Sequence, residues 1–125
     1  EGDNGLDLRS SETFDLVPGA RRRVSVGLAV KVPYGYRAYV QSRSGLAFKE
    51  GVAVFDAPAL VTACIDEELT VLLANLDQTR TVHVEKGDRI AQLVIEPAPP
   101  VRFTMVDTLD ETERSGNGFG STGRG

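Results

Sequence analysis

TVHVEKGDRIAQLVIEP, residues 81 to 97, decides the fold class of this chain. Thr79 to Val84 alternates apolar with polar residues, Glu85-Lys86-Gly87-Asp88 supplies turn chemistry, and apolar residues resume from Arg89 to Ile95 before Pro97. A period of two is the signature of a strand with one buried face, and helical spacing is absent.

The same punctuation continues on both sides. Thirteen Gly and six Pro interrupt the chain, and the segments between them read as short strands. Val24, Val26, Leu28 and Val30 share one face of a strand that ends at Val32-Pro33-Tyr34-Gly35. Tyr36 to Gln41 is its expected hairpin partner. Leu69 to Leu76 is almost wholly apolar, as for a strand buried on both faces. Val101 to Val106 is expected to be a last strand. Ser44 to Lys49 is the one helical candidate, and no internal repeat is evident. Many short strands in one domain predict an all-β sandwich or a closed, barrel-like jelly roll.

A chain of 125 residues fits a single core. Its 14 basic and 18 acidic residues give a net charge of −4, so no global field draws it to nucleic acid or to an anionic membrane. The longest apolar stretches fall far short of a bilayer span, and no leader pattern is present. A soluble, intracellular, cytoplasmic protein is expected. The single Cys64 excludes an internal disulfide, and a single His83 gives no zinc spacing. The chain begins at Glu1 rather than Met, so missing N-terminal residues are expected. Residues 1–106 read as one β domain. Residues 107–125 have few apolar side chains and read as a mobile arm.

Two stretches carry candidate chemistry. In Gln41-Ser42-Arg43-Ser44-Gly45-Leu46-Ala47 a strand gives way to a possible helical turn. Backbone amides at a helix start beside a guanidinium suit phosphate oxygens, and an ordinary turn fits the pattern equally well. The tail GNGFGSTG offers glycines that let backbone approach a ligand, Ser121 and Thr122 as donors, and Phe119 as an apolar lid. Taken alone, it also reads as a flexible tail. His83 fits a surface strand, and Cys64 a small buried hydrophobe.

Three patterns in one order change this balance. SRSGLA, then GDRIAQL, then an Arg followed by GFGSTG, closely resemble the second, fourth and fifth motifs of the trimeric dUTPase family. Asn4-Gly5-Leu6-Asp7-Leu8 resembles the first motif, with Leu6 at the usual aromatic position. The likeness covers nearly the whole chain, and the family's usual first strand falls before Glu1.

The resemblance implies a β jelly-roll (β-clip) subunit in a homotrimer, with active sites at subunit boundaries. It implies Mg²⁺ held mainly by the triphosphate, and hydrolysis of dUTP to dUMP and pyrophosphate. Carried over by position, Arg43, Ser44 and Gly45 hold phosphates, Gln92 assists them, and Asp7 reaches the metal through water. Arg114, Phe119, Gly120, Ser121 and Thr122 cap the nucleotide, with Phe119 over the base.

DAPALVTACIDEEL, residues 56 to 69, departs from the family's third motif. An ungapped alignment through Pro58 and Asn75 puts Thr62 at the catalytic Asp, Ile65 at the sugar-packing Tyr, Asp66 at the Arg and Asp56 at the Asn. Matching Ile65-Asp66 to the family's Ile-Asp instead keeps the general base and loses the Tyr altogether. Both alignments remain open. Without its carboxylate the reaction would slow by roughly 10²–10⁴-fold, the usual weight of general-base catalysis. Val61-Thr62-Ala63 is also similar to a segment of deoxycytidine triphosphate deaminases, but the Glu those enzymes need on the next strand is absent from Thr70 to Ala74.

The leading expectation is dUTP hydrolysis, with Asp66 or another acid of the 66–68 cluster activating water. A non-catalytic nucleotide binder and an enzyme of altered base selectivity are the alternatives. In the latter, Asp56 would accept from a cytosine amino group.

Overall fold

The computed structural model describes residues 5–61 and 67–110. Within them the elements run β1 (Gly5–Arg9), β2 (Phe14–Leu16), β3 (Arg21–Ser25), β4 (Tyr36–Gln41), α1 (Ser44–Glu50), β5 (Val52–Val54), β6 (Ala59–Leu60), β7 (Thr70–Asn75), β8 (Val82–Val84) and β9 (Arg89–Pro97). They form three antiparallel sheets, ordered β1-β9-β4-β6, β2-β8 and β3-β7-β5. The chain is an all-β jelly roll, with one short helix among the described residues, as its alternating pattern predicts.

Period-two alternation builds the core. Leu8 pairs with Ala91 and Val40 with Leu93, and all four side chains point inward. Val24, Val52, Val71 and Leu73 of the third sheet close over them, together with Ile90 and Leu16. Thr70 to Asn75 is buried nearly throughout, and Leu76 lies exposed just beyond the strand's end.

Several expected elements differ. Tyr36 to Gln41 does not pair with the Val24 strand. β3 ends at Ser25, Gly27 turns at φ 72°, and the chain leaves the sheet. Val26 N–H then donates to the Leu69 carbonyl at 3.3 Å, and Leu69 N–H to the Leu28 carbonyl at 2.8 Å, so these backbone groups bond the approach to β7. β4 pairs instead with β9 and β6. Alternation indicated correctly that Val24 and Val26 face inward, but it carries no information about which distant strand is the partner. Val101 to Val106 forms no strand, and Val101, Phe103 and Met105 stand exposed. The expected Thr79 to Val84 strand shortens to β8 because the Asp77 carboxylate accepts from the Thr79 and Arg80 amides at 3.1 and 2.8 Å, making a turn. Glu85 to Asp88 is a turn as expected, closed by Asp88 N–H to the Glu85 carbonyl at 2.9 Å. It feeds β9 into a different sheet from β8.

Asn75 ties three segments together from a fully buried position. Its side-chain amide donates to the Leu16 and Arg80 carbonyls, both at 2.9 Å, and its carbonyl accepts from Asp77 N–H at 2.9 Å. Gly51 ends α1 at φ 71°, where a Cβ would meet the Asp77 backbone nitrogen at 3.1 Å. Asn75→Leu is therefore expected to lower stability by about 2–4 kcal/mol by stranding buried backbone groups. Gly51→Ala should cost about 1–2 kcal/mol through left-handed strain. Urea unfolding measures both, and a loss below about 1 kcal/mol for Asn75→Leu would show that its partners find other bonds.

Candidate active site

Sheet register assembles the polar row. Asp7 of β1 lies opposite Gln92 of β9, and Gln92 lies opposite Gln41 of β4. Directly opposed residues in antiparallel strands share a face. All three are partly buried, on the face opposite Leu8, Ala91, Leu93 and Val40. Arg43 follows two residues after Gln41 in extended conformation, with φ −87° and ψ 125°, and caps the N-terminus of α1. Between them Ser42 accepts a hydrogen bond from Val54 N–H at 2.9 Å, which fixes the junction to β5.

The guanidinium of Arg43 approaches Asp7, with Nε 3.6 Å from Oδ1. Arg89 comes to the other oxygen of the same carboxylate at 3.7 Å. One carboxylate thus faces two cations. The first intrahelical bond of α1 runs from Ala47 N–H to the Arg43 carbonyl at 3.0 Å, so the Ser44, Gly45 and Leu46 amides have no intrahelical acceptor. Ser44 and Gly45 are exposed, and a Cβ at Gly45 would meet nothing within 4 Å. Arg43 and Arg89 also line a crevice of about 430 Å³ with Arg9 and Gly87, floored by Val82, Val84 and Ile90.

The sequence expectations divide in space. Asp7, Arg43 and Gln92 come together, with Ser44 and Gly45 adjoining Arg43. Asp56 is exposed after β5 and lines a second cavity of about 230 Å³ with Arg23, Glu67, Glu68 and Thr70. Glu68 there accepts a hydrogen bond from the Ser25 hydroxyl. No described residue lines both cavities. Thr62, Ile65 and Asp66, like Arg114, Phe119, Gly120, Ser121 and Thr122, lie outside the described residues. Gln41 and Arg89 were not singled out from sequence, although both sit inside quoted motifs. Their place beside Asp7 and Gln92 becomes visible only through the β1-β9-β4 register.

The dUTPase family model matches residues 1–123, nearly the whole chain. The chain belongs to the dUTPase family. It is similar to the deoxyuridine 5'-triphosphate nucleotidohydrolase of Corynebacterium diphtheriae, at 43% identity over 122 residues, covering 98% of this chain and 80% of the relative. Among solved structures, it resembles a variant dUTPase of Staphylococcus bacteriophage 80alpha bound to dUpNHpp. That likeness has a TM-score of 0.85 at 26% identity and covers 98% of this chain and 88% of the other. A variant dUTPase of phage phi11 of S. aureus shares the fold, with a TM-score of 0.80 at 23% identity over 89% of this chain and 88% of its own. Its structure describes the coordination of a structural Mg(II) ion. The dUTPase motifs fall where the fold gathers them: the first on β1, the second at the β4–α1 junction and the fourth on β9.

His83 of this dUTPase chain is exposed on β8, as a surface strand residue. Glu85 at 2.6 Å and Asp15 at 2.7 Å accept from its ring, in that order of weight, and hold its pKa above the ordinary histidine value near 6.5. A raised folded-state pKa contributes stability that is complete below the unfolded value and is lost as pH rises through the folded one. The melting temperature of the wild type should therefore exceed that of His83→Gln at about pH 6, and the gap should close above the folded-state pKa. High salt should narrow it. A gap that widens with pH would reverse the assignment.

Proposed function

We infer that this chain hydrolyses dUTP to dUMP and pyrophosphate. The observation that carries the reading is the convergence of Asp7, Gln92 and Arg43 beside the free amides of α1, in a chain of the dUTPase family. Guanidinium and amide donors fit phosphate oxygens, and fixed donors aimed at developing charge favour the transition state over the ground state. Arg43 and the Ser44 and Gly45 amides hold phosphates, and Gln92 donates from the neighbouring strand.

The described residues contain no group of three or more His, Cys, Asp or Glu able to hold a metal ion. That donor set suits Mg²⁺ arriving on the triphosphate, since the ion keeps waters and phosphate oxygens as its ligands. Asp7 is then the protein carboxylate that reaches it through water. When bound, the ion neutralises charge on the phosphate oxygens.

An acid of the 66–68 cluster takes the proton of the water that attacks the α-phosphate, and Asp66 is the first candidate. Asp56, Thr62 and Ile65 face base and sugar. Residues 107–125 act as an arm whose Arg114, Phe119, Gly120, Ser121 and Thr122 close over the nucleotide.

Assembly as a homotrimer with shared sites is part of the proposal. Two features support it: separate cavities on one chain hold the phosphate-side and third-motif residues, and Val101, Phe103, Met105 and Leu109 are exposed apolar residues. No helix among the described residues is long and apolar enough to cross a membrane. A cytoplasmic location suits action on the free nucleotide pool.

Pyrophosphate release from dUTP, dCTP, dTTP and UTP with magnesium tests the reading. Release from dUTP is expected to dominate, and Asp66→Asn should lower it by roughly 10²–10⁴-fold, the weight of a general base. Full activity in Asp66→Asn removes that residue from the role. Tight dUTP binding without release makes the chain a binder rather than a hydrolase.

A further inference from the structure

We infer that Arg89 is a positioning residue of the phosphate site: it shares the Asp7 carboxylate with Arg43, so that the Arg43 guanidinium is aimed without being captured. The inference rests on the reading of this site as a triphosphate site.

Backbone register accounts for the position of Arg89. Along β1 and β9 the pairs run Gly5 with Val94, Leu6 with Leu93, Asp7 with Gln92 and Leu8 with Ala91, and the sequence then shifts so that Arg9 meets Arg89. In an unbroken strand Arg89 would share the inward face of Ala91 and Leu93. The bulge turns Ile90 into the core, where it is 1% exposed, and brings Arg89 to within 3.7 Å of Asp7. Re-aiming one side chain at a binding site is a recurrent use of a bulge.

Arg43 needs such an arrangement because little else orients it. Among the described residues its Nε is buried without a hydrogen-bond partner, and a terminal nitrogen reaches only the Arg89 carbonyl, at 3.5 Å. Its contact with Asp7, at 3.6 Å, is longer than a direct hydrogen bond. With a cation on each oxygen, Asp7 cannot form the two-pronged pair that a lone Arg and a carboxylate favour. The outer nitrogens of Arg43 therefore stay available to an anion, and the trio keeps a net positive charge. Removing Arg89 frees Asp7 to clamp Arg43, which then competes with phosphate.

Calorimetric binding of dUpNHpp with magnesium tests this on the full chain. Arg89→Gln is expected to weaken binding by about tenfold, the weight of one charge-assisted contact. Arg89→Lys should stay within about threefold of wild type, because an ammonium still occupies the second oxygen of Asp7. In an Asp7→Asn background Arg89→Gln should change affinity by less than about twofold, since the two act as a unit. Steady-state kinetics should place the loss in KM rather than kcat. An unchanged affinity in Arg89→Gln overturns the proposal, as does the same tenfold loss in the Asp7→Asn background, which would mark a direct or merely structural role. Should Arg89→Gln melt early, the Lys variant decides: a full loss there also overturns it. Wild type that does not bind dUpNHpp at all overturns the functional reading itself, a result distinct from any of these.

Discussion

The double pairing of β9 is the constraint on which the rest of the molecule depends. One nine-residue strand bonds β1 along one edge and β4 along the other, and its register places Asp7, Gln92 and Gln41 in one row. Its inward side chains, Ile90, Ala91 and Leu93, are core. The same hydrogen bonds that bury this face thus fix the polar face. A slip of one residue would exchange the two faces, at the cost of core burial worth about 1.5–3 kcal/mol for each large side chain moved out. Site geometry is therefore protected by hydrophobic packing rather than by the polar residues themselves.

Around that row the polar residues divide into braces and free donors. Ser42 accepts from Val54 and holds the strand-to-helix junction, while Asn75 satisfies three backbone groups at the far end of the third sheet. Asp77 engages the Thr79 and Arg80 amides, and these bonds hold its carboxyl below the usual carboxylate range. By contrast, Arg43, Ser44 and Gly45 retain donors that nothing among the described residues uses fully. This contrast between satisfied and unsatisfied groups sets the candidate site apart from the bracing residues around it.

Local pattern made much of the fold legible. Alternation marked β9, turn residues marked the bend at Glu85 to Asp88, and a nearly unbroken apolar run marked the buried β7, while Ser44 to Lys49 stood out as the helical candidate that became α1. What local pattern omits is partner choice. Val24 to Val30 and Tyr36 to Gln41 look like neighbours across a Pro-Gly turn, yet β3 joins β7 and β4 joins β9, because burial depends on contacts far apart in sequence. Val101 to Val106 shows the opposite failure: a good strand pattern that pairs with no strand among the described residues. Within the site, Asp7, Arg43 and Gln92 were legible through motif resemblance. Arg89 was not, since strict alternation would have pointed it into the core and only the bulge reverses it.

Gly45 separates the demands of folding from those of use. It has ordinary helical backbone, and no neighbouring atom stands where a methyl group would go. The protomer alone would tolerate alanine there, and most helices prefer it. Selection for soluble expression would therefore leave this codon free to drift, whereas a phosphate seated against its amide, as proposed, would make selection for catalysis hold it, and comparing the two libraries would separate the requirements of the scaffold from those of its cargo.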